Sequence, residues 1–248
     1  MRKLVVICFL LLIPVCLLNA QNESAEYKLS LSLAGVSIGA GNAAYSESVT
    51  TLDGRDAIRL RMIMSTGRAA SLFYNLRDTI TSYVTPSIVP LVYTKQVHEG
   101  GNEAVETAHF VNYDNQFSVR LQISRGGLVF IDRNEVRDTQ IYDMLSMLKY
   151  LRGINEGKMV EGSVIDMPMV NGDMVVMQHI VSEGRVIIKD GCGDRRECIR
   201  FSVRDSKDGV ERETIKVYVA DDSSHIPVRM DIILGKCIIR ALLNNYTK

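Results

Sequence analysis

After its first twenty residues, this 248-residue sequence has no apolar run of the roughly 20 residues that a helix needs to cross a bilayer. Proline is scarce, at five residues, and no stretch is rich in Pro, Ser and Gly, so nothing reads as a linker between independent domains. The 46% hydrophobic content is enough for one sizeable core. Charge of one sign is also lacking. Twenty-nine basic residues face 29 acidic ones, and removing Arg2 and Lys3 with a leader leaves 27 against 29. That balance excludes the basic surplus of a nucleic-acid or anionic-lipid binder. With no second Cys/His pair at ligand spacing, a zinc centre is not expected, nor is any other metal or cofactor.

What is there begins with a leader. Arg2 and Lys3 precede an apolar run from Leu4 to Leu18, and Ala20 supplies a small residue before a polar stretch. This is the pattern of a secretory signal peptide over 1–20, placing the rest of the chain in the periplasm or cell envelope. A competing reading, a lipoprotein signal ending at an acylated Cys16, fits less well because Val15 is bulky and "LLNA" still follows. Of the three cysteines beyond the leader, Cys192 and Cys198 bracket the polar loop "CGDRREC" and are candidates for a disulfide in an oxidising compartment. The alternative is that Cys198, in the alternating run "CIRFSV", faces the core as a small apolar residue.

The dominant period is two. "YKLSLSLA" sets Tyr27, Leu29, Leu31 and Leu33 against Lys28, Ser30 and Ser32, and "AIRLRMIM", "FSVRLQI", "TIKVYVA" and "CIIRALL" repeat the alternation. Turn formers such as "SRGG", "SKDG" and "NGD" separate the runs at intervals too short for crossover helices. The expected fold is therefore mainly β: a curved antiparallel sheet, half-barrel or clam-like, with one amphipathic helix packed on its apolar face. That helix is expected near 138–154, where Ile141, Leu145, Leu148, Leu151 and Ile154 form one stripe. Asp138 or Thr139 would cap its start, and Arg152 with Gly153 would close it. "GVSIGAG" from Gly35 lacks the strand-to-helix setting of a phosphate loop and reads as a tight turn or a bent strand.

Two segments echo one another. "ITSYVTPSIVP" and "IKVYVADDSSHIP" align Tyr83 with Tyr218, Val84 with Val219 and Pro90 with Pro227, the second being two residues longer in its kink. The residues beyond the leader, 21–248, therefore read as a single β-rich domain, with the echo pointing to two similar half-sheets around the central helix. The second kink is the densest cluster of reactive side chains in the chain: Asp221, Asp222, Ser223, Ser224 and His225. A hydrolase site or an oxygen-ligand metal site are the sharp readings. Consecutive residues of an extended chain point to opposite faces, which separates Ser224 from His225, and the first kink does without the acids and the histidine. A solvated turn built on backbone-bonding Asp and Ser is the expectation, with Pro227 starting the returning strand.

In sequence and order, "YKLSLSLAGVSIGAGNA", "RDTITSYVTPSIVPLVYTKQVHEGG", "YDMLSMLKYLRGINEG" and "KVYVADDSSHIPVRMDIILGKCIIRALL" resemble the bacterial domain-of-unknown-function 3108 family. One departure is Tyr218, where relatives often carry tryptophan. The resemblance implies an exported, β-rich envelope protein and supplies no activity or catalytic residues. A looser similarity links the strand, acidic turn, Pro, strand pattern to periplasmic carriers of lipoproteins, whose curved sheet opens an apolar cavity. Together these lead to the expectation of a non-catalytic protein that binds a lipid-like or polymeric envelope ligand in the concavity of its sheet. The alternative is a structural or assembly factor docking to another envelope protein, with a hydrolase as a third class.

Overall fold

The structure is a computed structural model that describes residues 22–68, 70–72, 75–113, 116–154, 160–207 and 210–248. The expected leader and Cys16 lie outside them. Eight strands precede the helix: β1 (Glu23–Leu33), β2 (Val36–Leu52), β3 (Arg55–Thr66), β4 (Arg77–Val84), β5 (Pro90–Glu99), β6 (Asn102–Tyr113), β7 (Gln116–Arg125) and β8 (Leu128–Arg137). The helix α1 (Met144–Arg152) is followed by β9 (Val164–Asn171), β10 (Met174–Lys189), β11 (Arg195–Lys207), β12 (Val210–Ala220), β13 (Pro227–Leu234) and β14 (Cys237–Thr247).

All fourteen strands form one antiparallel sheet in the order β8 to β1 and then β14 to β9. Neighbouring strands are joined by hairpins except at β1 and β14, where the two ends of the described chain pair in the middle of the sheet. The edges are β8 and β9, and they approach each other. Arg133 Nη1 meets Asp173 Oδ2 at 3.1 Å, Arg137 Nη2 donates to the Val175 carbonyl at 3.0 Å, and Tyr142 exchanges two 2.9 Å backbone bonds with Pro168 and Val170. The sheet is thus a nearly closed, barrel-like wrap, with Tyr142 capping part of β9 and β8 paired on one side only.

Alternation sets the wall. On β4, Asp78, Ile80, Ser82 and Val84 are buried while Thr79, Thr81 and Tyr83 face outward. On β1, Glu23, Ala25 and Tyr27 are buried between exposed neighbours. The inward stripe of β1 outruns the core, however, and Leu33 is 51% exposed because the β1–β2 hairpin projects past it. The glycine-rich stretch uses both of its options. Ala34 and Gly35 make the turn at φ 49° and 84°, and the register of β1 on β2 shifts between Leu29 and Ser30, opposite Gly41 and Gly39.

The helix lies inside the wrap and is buried nearly all round. Ile141, Leu145, Leu148, Leu151 and Ile154 are all core residues, as their spacing implies, and Met147 joins them. Each buried leucine contributes about 2 kcal/mol. The helix is shorter than the sequence suggests and starts at Met144, because Tyr142 is drawn alongside β9 and Asp143, not Asp138 or Thr139, supplies the cap.

The two echoing segments are built alike. Each has a register shift after its tyrosine, Tyr83 or Tyr218. The Thr85 amide bonds Val89, as the Ala220 amide bonds Ile226, both at 2.9 Å. The residue two before each proline has positive φ, 65° at Ile88 and 46° at His225. Outward from them, Arg59 opposes Tyr83 as Arg200 opposes Tyr218, so "AIRL" and "CIRF" occupy matching registers.

Candidate functional site

The polar interior of the barrel centres on Arg152, at the last turn of α1. Glu23 and Glu47 stand directly opposite each other on β1 and β2, an arrangement that repels unless a cation intervenes. Arg152 Nη2 bonds Glu23, and its Nη1 lies 3.4 Å from Glu47 Oε2. Lys149, one turn earlier, reaches Glu47 Oε1 at 2.5 Å. Two carboxylates and two cations therefore cancel. Tyr246 donates to Glu23 at 2.5 Å, Tyr45 donates to Glu47 at 3.2 Å, and the Tyr45 ring lies 5.9 Å beneath the guanidinium. Burial pushes the Glu23 carboxyl up, but bonds from Arg152 and Tyr246 outweigh it and hold Glu23 below the usual range. Burial likewise pulls Arg152 down, and its bond to Glu23 with the surrounding negative charge keeps it firmly protonated. The Tyr27 hydroxyl, raised by burial, is the one group of this cluster without a partner among the described residues.

The second kink completes the seat of Arg152 through its backbone. Arg152 Nε donates to the His225 carbonyl at 3.0 Å and Nη2 to the Ser224 carbonyl at 3.1 Å, while His225 Nδ1 lies 2.8 Å from the Arg152 carbonyl. Asp222 Oδ1 accepts from the Ser224 amide at 2.8 Å and the Ser224 hydroxyl at 2.5 Å, and Asp221 pairs with Arg185 at 2.6 Å. Asp222 and Ser223 are exposed, and Ser224 and His225 engage different partners. The geometry is that of a turn stabilised by its own side chains, with no nucleophile, base and orienter in line. At the other end of α1, Asp143 accepts from the Leu145 and Ser146 amides at 2.9 and 3.0 Å and from Ser82 Oγ at 2.7 Å. Burial raises its pKa against those bonds.

The remaining sequence candidates fall in separate places. By register Tyr83 and Tyr218 stand on the outer face, Tyr83 half-buried and Tyr218 buried, and Pro90 and Pro227 open β5 and β13. The bridge between Cys192 and Cys198 is not formed: Cys192 sits on an exposed turn with its Sγ 3.0 Å from the Asn244 carbonyl. Cys198, on β11, is fully buried, and burial pushes its thiol up to about 12. Glu23 and Glu47 carry no local signal, since nothing near them in sequence marks a partner more than a hundred residues away.

Outside, a groove crosses β3, β4 and β5. Its two adjoining parts, about 220 and 590 Å³, share Thr79 and Gln96. Arg59, Arg61 and Tyr83 line the first part, and Arg77 extends the second.

The family model described as protein of unknown function (DUF3108) matches residues 26–236. No curated protein matches the chain. Among solved structures, the crystal structure of a beta-barrel-like protein of domain of unknown function DUF1849 from Brucella abortus is similar, with a TM-score of 0.60 at 13% identity. The match covers 91% of this chain and 97% of that one, a likeness of fold.

Proposed function

Because the chain belongs to the DUF3108 family of unknown function, its role has to be read from its own geometry, and we propose a non-catalytic, exported cell-envelope protein that binds a polymeric ligand on the outside of its sheet. The observation that carries this reading is the position of α1. Leu145, Leu148 and Leu151 fill the concavity where an apolar cargo would sit, and the Arg152 cluster anchors the helix there. The open groove over β3 to β5 is an accessible concave surface, and its hydroxyl, amide and guanidinium lining suits a polar chain rather than an acyl chain. The leader pattern over 1–20 supports export. The proposal includes a single domain of two similar half-sheets, supported by the matching kinks at Pro90 and Pro227. Gentle purification from the native host, followed by sedimentation with the insoluble envelope fraction and by lipid extraction, tests it. Co-sedimentation without bound lipid is expected; one lipid per chain and no co-sedimentation would overturn it.

A second reading, an assembly factor docking an envelope protein, is favoured by the overhang of two hairpins. Register places Leu31, Leu33, Val36, Ile38, Leu234 and Ile239 on one face, and Leu33, Val36, Ile38 and Leu234 are more than half exposed. Crosslinking in cells from position 36 would recover one protein partner if this reading holds.

A further inference from the structure

The two halves of the sheet present matching outer faces and treat their arginines oppositely. Around Tyr218, over β10 to β14, the charges are settled within the protein. Arg200 and Arg204 meet Glu183 at 2.7 and 3.1 Å, Asp231 binds both Arg229 and Arg240, and Lys216 meets Glu213 at 3.1 Å. The Tyr218 ring is covered by the Arg229 guanidinium, 4.8 Å from its centroid. Over β3 to β5 the matching positions are open. Arg59 holds the register of Arg200 but has no ion pair or side-chain hydrogen bond to a described residue, and the same is true of Arg61 and Arg77. Val92 stands opposite Tyr83 where Arg229 stands opposite Tyr218, and among the described residues no cation stacks over the half-buried Tyr83 ring, whose other cross-strand neighbour is Arg59.

From this contrast we infer that the β3–β5 groove is a binding site for a linear anionic glycan, one that carries carboxylate or phosphate groups. Guanidinium forks take carboxylate and phosphate oxygens through paired, charge-assisted bonds. Thr79, Thr81, Thr94 and Gln96 offer the donors and acceptors that sugar hydroxyls need, and the Tyr83 ring offers an apolar surface for a sugar face. Arg59 and Arg61 project from one face of β3, and Arg77 lies opposite Ser65, so the guanidinium row runs about 20 Å along the strands at ~3.3 Å per residue. A row of that length matches several charges on a chain better than one small anion. Glu103, beside His98, closes the far end and would repel an anionic chain extended past it.

The inference rests on the proposed role in polymer binding and names the ligand class of the groove. The test measures fluorescence anisotropy of the intact chain with end-labelled oligogalacturonate, with a phosphate-bearing oligoglycan of equal length, with maltohexaose and with oligothymidylate. An anionic glycan is expected to bind at least about tenfold more tightly than maltohexaose, with affinity falling as salt rises. Arg59→Gln with Arg61→Gln should weaken that binding about 10- to 100-fold. Tyr83→Ala should also weaken it, and Arg200→Gln, on the internally paired face, should leave it unchanged. Equal binding of maltohexaose, equal or tighter binding of oligothymidylate, or binding indifferent to the Arg59/Arg61 substitutions would overturn the inference. Co-sedimentation with the envelope fraction that survives those substitutions would leave the broader reading standing while removing this site. Loss of co-sedimentation by the unaltered chain would remove both.

Discussion

Glu23 and Glu47 face each other across the β1–β2 pair, and the guanidinium of Arg152 reaches both. This relationship joins three parts of the chain far apart in sequence and fixes the helix inside the barrel. Replacing Arg152 with methionine keeps most of the side-chain volume and leaves two buried carboxylates with only Lys149 to balance them. A buried pair broken on one side costs about 3–5 kcal/mol, which urea denaturation would read as a lower midpoint with unchanged slope. Adding Glu23→Gln to Arg152→Met should recover part of the loss. No recovery would mean that packing, not charge, is what Arg152 supplies.

The same cluster sets the response to acid. Glu23 has a folded pKa below its unfolded value of 4.5, so its stabilising contribution is present above about pH 4.5 and is lost as pH falls through the folded pKa. Melting temperature measured from pH 6 down to pH 3 should therefore fall more steeply for the natural sequence than for Glu23→Gln. Parallel curves would remove Glu23 from the acid response.

Much of the wall is legible in the sequence. Strand alternation, the turn dipeptides and the apolar stripe from Ile141 to Ile154 are local patterns, and each depends on neighbours within a few residues. The echo of Tyr83 and Tyr218 is legible for the same reason. Helix length is less so, since the bridge from Tyr142 to Met169 that delays its start is a long-range contact. The Arg152 cluster is almost invisible. Arg152 reads as a favourable last-turn residue of a helix, and Glu23 as one polar residue after a leader. Only the pairing of β1 with β2, and the insertion of α1 beneath them, brings the charges together. The dense "DDSSH" segment misdirects because side-chain variety resembles chemistry, whereas the structure uses the carbonyls of Ser224 and His225.

Gly41 marks a place where the wall has no room. A Cβ built there would lie 2.0 Å from the Ser65 carbonyl oxygen, which is backbone and cannot swing away. Gly41→Ala must separate β2 from β3 at the end of their ladder, costing about 1–3 kcal/mol. Gly39→Ala meets nothing within 4 Å and serves as the matched comparison. Equal melting temperatures for the two variants would contradict the close approach.

The thiols should react in order of access. Cys192 is exposed, Cys237 is partly exposed and Cys198 is buried with its thiol pushed up to about 12. Reactivity follows the thiolate, so a native sample treated with iodoacetamide at pH 8 should label Cys192 first and Cys198 only on unfolding. Peptide mass spectrometry would check this, and early modification of Cys198 would show that β11 opens more readily than its packing implies.

Asp143 carries a pH dependence opposite in sign to that of Glu23. Its position at the helix N-terminus favours the charged carboxylate, and so do the bonds from Leu145, Ser146 and Ser82, yet complete burial raises its pKa above the ordinary value of 3.8. A raised carboxyl pKa gives stability that is present below the unfolded pKa and lost as pH rises through the folded one. An asparagine side chain in its place would keep an acceptor for the two helix amides and a partner for Ser82, without a charge to bury. Asp143→Asn should therefore gain stability relative to the natural sequence between pH 4 and pH 7. Asp143→Ala removes the cap and orphans the Ser82 hydroxyl, and should cost about 1–2 kcal/mol at either pH. Denaturation of all three proteins at both pH values separates cap from charge. A constant gap between the natural sequence and Asp143→Asn across that range would mean that the carboxyl titrates in the folded protein as it does in the unfolded chain.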